Sequence, residues 1–240
     1  MGSLERSARA LDRFEIQVYD GRANAPGVPS LETHVNFTDR AREQSDAEHQ
    51  LHLTFEGALG VSKIFEPGVY FQTALLPDGT VNYAGTKLRA KFVALPLLEG
   101  HLRLGANFEL ANVPRRFESE RWGVEVRPIV SVDLDRLTIS ANPIVGVPLS
   151  GAVRDGPGFE PAVSASFGLS ARARAGLEYY TDVGQLAAST HERIQYLFLA
   201  TDCEIAPRLD LNAGVGWGLT EESEPLTFKA ILGWELDPIF

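Results

Sequence analysis

Three basic residues stand at alternate positions in the stretch KLRAK: Lys87, Arg89 and Lys91. Alternate side chains of an extended chain share one face, so these three make a ladder of positive charge if the stretch is a strand. Arg103, Arg127 and Lys229 each sit between apolar neighbours in HLRLG, VEVRP and TFKAI. Glu56, Glu109, Glu125, Glu178 and Asp210 occupy comparable positions, and Glu32, Asp133, Glu160 and Glu235 extend the set. Charges gathered on a wall create a field that steers and selects ions. The plainer reading is that they pair with one another and with water. His52, Thr54 and Glu56 also alternate, an order that loosely suits nucleophilic catalysis. Threonine without an activated N-terminal amine is a poor nucleophile, so no catalytic residue is assigned and no enzyme is expected. His191 and Glu192 adjoin in a connector, no HExxH spacing occurs, and Cys203 is the sole cysteine. No metal site, cofactor or disulfide framework is expected.

The elements that must carry these residues are strands. In LHLTFEGALG, Leu51, Leu53, Phe55 and Leu59 alternate with His52, Thr54 and Glu56, and HLRLGANFEL and RLDLNAGVGWGL repeat the pattern. Period two is the mark of a strand with two unlike faces. It recurs near residues 30–38, 49–60, 68–76, 81–94, 100–111, 121–134, 136–148, 159–170, 173–182, 192–204, 208–220 and 226–240. Many of these stretches reach the roughly 9–11 residues that cross a bilayer at a tilt. The connectors alternate in kind. Short ones such as DLDR and EIAPR interleave with longer polar ones such as TDRAREQSDAEH and VGQLAASTHE, with LPDGTVN a shorter exception. The glycines of GVGWG fall within a strand, where they suit close backbone approach rather than phosphate binding.

Composition narrows the class. The 240 residues carry a net charge of -10 and no basic stripe, which argues against nucleic acid. No apolar run is long enough for a transmembrane helix, a test to which barrels are blind. The start, MGSLERSARA, lacks an apolar core for a signal peptide. MGS suits a tag remnant and SARA the remains of a cleavage site, as in a trimmed exported protein.

Period two does not say which face is inward. The apolar phase is free of charge at the strand centres, as lipid would require. It also carries aromatics at Phe37, Phe71, Phe108, Trp122, Phe159, Tyr179, Tyr196, Trp217, Phe228, Trp234 and Phe240, and rings of this kind favour a membrane interface. The ending, LTFKAILGWELDPIF, is apolar at alternate positions. It resembles the C-terminal assembly signal of Gram-negative outer-membrane proteins through Trp234, Leu236 and Phe240, with Pro238 a departure. The stretch FEIQVYDGRANAPGVPSLETHVNF is similar to the start of uncharacterised proteobacterial outer-membrane proteins related to the phenol-degradation MetA-pathway family.

The resemblance implies an all-β fold: a single antiparallel transmembrane barrel of about twelve strands over residues 30–240, after an N-terminal segment of residues 1–29. It further implies a place in the cell outer membrane, with lipid, the assembly machinery and a small solute as partners. The function expected is passive or facilitated diffusion of small polar or anionic solutes. The pore would be lined by Lys87, Arg89, Lys91, Arg103, Arg127, Glu56, Glu125, Glu178, Asp210 and Lys229. Acids on later strands would face the basic ladder across the lumen. The alternatives are a closed structural or partner-binding barrel, and a soluble barrel with an apolar interior. The inner phase is not wholly polar: Ile129, Ile144, Ile231, Leu197 and Leu199 belong to it on this count. FEIQVYD is then an extra segment, expected to fold into the periplasmic mouth or to pair with the wall.

Overall fold

The computed structural model describes residues 12–38, 50–94, 97–117, 121–149, 157–186 and 194–240. Outside these lie the proposed tag and cleavage remnants in residues 1–11, most of the connectors 39–49, 150–156 and 187–193 with His191 and Glu192, and the outermost ends of two expected strands. The strands are β1 (Pro29–Thr38), β2 (Leu51–Leu59), β3 (Phe65–Leu75), β4 (Val81–Val93), β5 (Leu102–Asn112), β6 (Trp122–Leu134) and β7 (Leu137–Asn142). They continue as β8 (Val145–Pro148), β9 (Gly158–Phe159), β10 (Ala162–Ser170), β11 (Ala173–Asp182), β12 (Ile194–Ala206), β13 (Leu209–Gly218) and β14 (Leu226–Glu235).

Prolines divide two of the staves. Pro143 separates β7 from β8, and Pro161 separates β9 from β10, because proline has no N–H to give to a ladder. Both β7 and β8 pair with β6, so the segments build twelve antiparallel strands. The sheet closes where β1 pairs with β14, from Ser30 opposite Glu235 to Thr38 opposite Thr227. Closure leaves no unpaired sheet edge among the described strands. One rim carries both barrel termini and connections as short as Asp135–Arg136 and Pro207–Arg208; the other carries the longer ones. The shorter exception is a turn in which Gly79 takes φ 84 and Thr80 donates its backbone N–H to Asp78 at 2.8 Å. That bond holds the Asp78 carboxyl below its usual range.

The barrel is apolar outside and polar inside. Leu31, Phe55, Phe71, Leu88, Phe108 and Leu199 are exposed, whereas His34, Asn36, Thr54, Asn107, Ser131 and Asn142 are buried. A soluble barrel with an apolar interior is therefore ruled out. Register corrects two expected placements. Tyr196 and Phe198 stand opposite Tyr180 and Glu178 of β11, whose side chains point inward, and directly opposed residues share a face. Tyr196 is thus internal, and Leu197 and Leu199 belong to the outer phase. The ending is corrected too: the strand stops at Glu235. Leu236 N–H still bonds Pro29 O at 2.9 Å and Ile239 N–H bonds Gly27 O at 2.8 Å. Pro238 breaks the ladder between them.

Candidate functional site

The interior is the place where the chemistry-bearing residues meet. Residues 12–28 precede β1 and run through the barrel from the long-loop rim to the short-turn rim. At one end Arg13 pairs with Glu224 of the β13–β14 connection. At the other, Gly27 N–H bonds Gly60 O at 2.7 Å. A buried backbone must satisfy its polar groups, and here wall side chains do so. Asn36, Thr54, Lys229, Arg127, Asn142 and Arg103 donate to the carbonyls of Arg13, Phe14, Ile16, Gln17, Tyr19 and Asp20 respectively. Asn142 also accepts from Tyr19 N–H at 2.7 Å, so one side-chain amide grips both backbone groups of that residue. The segment therefore crosses the lumen without forming a strand; the sequence placed it at the periplasmic mouth or against the wall.

Side chains complete the fit. Phe14 packs edge-on against His52 and Phe117, with ring centroids 4.8 and 5.8 Å away. Ile16 joins an apolar cluster with Ile144, Tyr180, Ile194, Tyr196 and Phe198. Aromatic and aliphatic side chains of the inner phase thus gather where an apolar part of the segment meets them. Tyr19 lies among the guanidinium groups of Arg89 and Arg127 and the ammonium of Lys91, 5.9, 4.7 and 5.6 Å from its ring centroid. Its hydroxyl donates to Glu15 at 2.8 Å and meets that of Tyr70 at the same distance.

The basic ladder is fully engaged. Lys87 contacts Asp12, Glu15 and Glu109 at 2.5, 3.1 and 3.0 Å. Arg89 bridges Glu56 at 2.6 Å and Glu66 at 2.5 Å, and Lys91 meets Glu66 at 2.6 Å. Arg103 pairs with Asp133. Arg127 takes Glu125 at 2.8 Å and Glu15 at 3.5 Å. Lys229 reaches Glu178 at 2.6 Å. Most partner carboxylates stand on adjoining strands and on the segment itself, not across an open lumen as the sequence suggested. Asp210 is apart from this network, exposed at the short-turn rim. Trp234 and Phe240 are exposed near the same rim and Leu236 is half-buried there. The Thr54 hydroxyl is committed to Phe14 O at 2.7 Å. A cavity of about 30 Å³ beside Glu15, Arg127 and Tyr180 has room for about one water.

Sequence reasoning missed Asp12, Glu15, Tyr19, Glu66 and Tyr70 as partners in one network. Glu66 was in reach, since it shares its face with Gly68, Tyr70 and Gln72 of the same strand. The expected strand began too late, at residue 68, because Pro67 and Gly68 read as a break between strands.

An apolar exterior, a closed antiparallel wall and an ionisable interior define the class: the fold is that of outer-membrane β-barrel channels. The COG4313 outer membrane channel from Pseudomonas putida F1 matches 92% of this chain and 100% of its own, with a TM-score of 0.68 and 12% identity. The KdgM porin matches 87% of this chain and 99% of its own, at 0.61 and 10%. For the NanC porin the shares are 86% and 99%, at 0.60 and 7%. Such identities speak for the fold and not for the solute. No protein-family model matches the sequence, and no curated protein matches it.

Proposed function

We propose that this chain sits in the cell outer membrane and is a channel for small polar or anionic solutes, closed at rest by its own N-terminal segment. The observation that carries the reading is how the segment is held. From Asp12 to Asn24 it bonds to the wall through side chains and makes no strand pairing. It can therefore leave while the barrel stays closed on itself. On its departure Lys87 loses Asp12 and Glu15, Arg127 loses Glu15, Arg103 loses Asp20, and Lys229 loses the Ile16 carbonyl. These cations then face the lumen and steer anions. Arg89 and Lys91 keep Glu56 and Glu66 and shape the wall beside them. The KdgM porin has been solved with disordered oligogalacturonate, an anionic solute of the class proposed here. Residues 1–29 are on this reading the gate and residues 30–240 the barrel. Trp234, Leu236 and Phe240 are what the outer-membrane assembly machinery reads. The finer likeness to relatives of the phenol-degradation MetA-pathway family rests on residues 14–37 alone.

A second reading is a closed barrel with a structural or partner-binding role, and the pairing of Lys87, Arg89, Lys91, Arg103, Arg127 and Lys229 with interior carboxylates favours it. Current recordings in a planar bilayer under a salt gradient separate the two. A channel gives discrete steps with a reversal potential on the anion side. Silence from folded, inserted protein, with or without its N-terminal segment, supports the closed barrel.

A further inference from the structure

We infer that Glu32, His34 and Glu56 form a binding site for one divalent transition-metal ion of the zinc type on the inner wall, near the short-turn rim. The site is independent of whether the barrel conducts. Its basis is the register of β1 and β2, which sets Glu32 directly opposite Glu56. Two carboxylates in that relation repel unless a cation or proton lies between them. His34 is two residues further along β1 and so shares their face.

The donor atoms converge at ion-pair distances longer than a charge-assisted hydrogen bond. His34 Nε2 is 3.4 Å from Glu32 Oε2 and 3.5 Å from Glu56 Oε2, and all three atoms lie within 4.8 Å of one another. A charge-assisted hydrogen bond spans roughly 2.7–2.9 Å, and none of the three atoms has a hydrogen-bond partner. His34 and Glu56 are nevertheless buried, with side chains 0% and 2% exposed. Zinc binds imidazole nitrogen and carboxylate oxygen at about 2.0–2.2 Å in a tetrahedron, which puts neighbouring ligand atoms roughly 3.4 Å apart. The two histidine–carboxylate separations match that edge, and the carboxylate pair lies within 4.8 Å. One imidazole and two carboxylates leave a fourth position for water.

Charge and access agree with a cation. The other oxygen of Glu56 holds Arg89, which also binds Glu66 together with Lys91. Carboxylates thus exceed fixed cations by one in this group. The Glu32 side chain is 29% exposed, so the site borders solvent on that side. Sequence motifs for zinc do not include this pattern, since it joins alternate positions of one strand to an opposed position on the next.

The test uses the full chain folded in detergent and stripped with a chelator. Cobalt(II), the spectroscopic stand-in for zinc, is titrated first, and zinc is then followed by calorimetry. The expected result is one ion per chain, with four-coordinate cobalt bands that zinc abolishes. Glu32→Gln and His34→Gln should each weaken binding by at least about tenfold, since even residues that only support a ligand are worth that much. His101→Gln, an exposed histidine bonded to Asp133 O, should leave binding unchanged. Absence of uptake, as for a site held by a proton on His34, overturns the inference. So does uptake that neither variant affects. If His34→Gln fails to fold, the partly exposed Glu32→Gln decides.

Discussion

Glu15 is the residue on which the segment's hold on the wall turns. It is buried, receives the Tyr19 hydroxyl, and lies beside both Lys87 and Arg127. Removing its charge leaves two interior cations short of a partner, although Lys87 keeps Asp12 and Glu109 and Arg127 keeps Glu125. With those partners remaining, Glu15→Gln should weaken docking by about 1.5–3 kcal/mol, the scale of one hydrogen bond to a charged group. Hydrogen exchange of residues 12–20 reads this directly. Faster exchange there with unchanged protection in β4 and β6 is expected, and equal rates in the two proteins would remove Glu15 from the account. Individual basic residues were legible in the sequence because period two marks the inner phase. Their partners were less so. A pair such as Lys87–Glu15 depends on where an irregular segment threads, and no periodicity encodes that path.

At the scale of the element, β13 shows how glycine makes room. Gly216 stands opposite Phe198 on β12, and the ring of Phe198 lies over the space a side chain at 216 would fill. Gly216→Val should push that ring off and loosen the apolar cluster holding Ile16, at a cost of about 1–3 kcal/mol. Urea unfolding in detergent micelles is the measurement, with Gly123→Ala, whose added Cβ meets only Val147 O at 3.7 Å, as the control expected to stay near the parent stability. The strands themselves were readable almost to their ends, since alternation sets both their length and their phase. The β12 stretch misled because it is apolar on both faces, so Leu197 and Tyr196 look alike until the partners on β11 fix which points in. The last strand misled differently: its alternation runs on to Phe240, but Pro238 cannot continue the ladder.

For the whole molecule, the claim is a lipid-facing exterior around an interior occupied by residues 12–28. Leu199 tests the exterior. It lies near the middle of β12, opposite Val215, and is half exposed. Leu199→Arg should cost about 2–4 kcal/mol for folding into lipid vesicles if it faces the bilayer midplane. A cost near zero would place that position away from lipid. The interior is tested most directly by deleting residues 1–20 and comparing single-channel currents with those of the full chain in a planar bilayer under a salt gradient. Longer or larger openings are expected from the shortened chain, with a shift toward anions as Lys87, Arg103 and Arg127 lose Asp12, Glu15 and Asp20. Identical conductance and identical ion preference in the two proteins would contradict it.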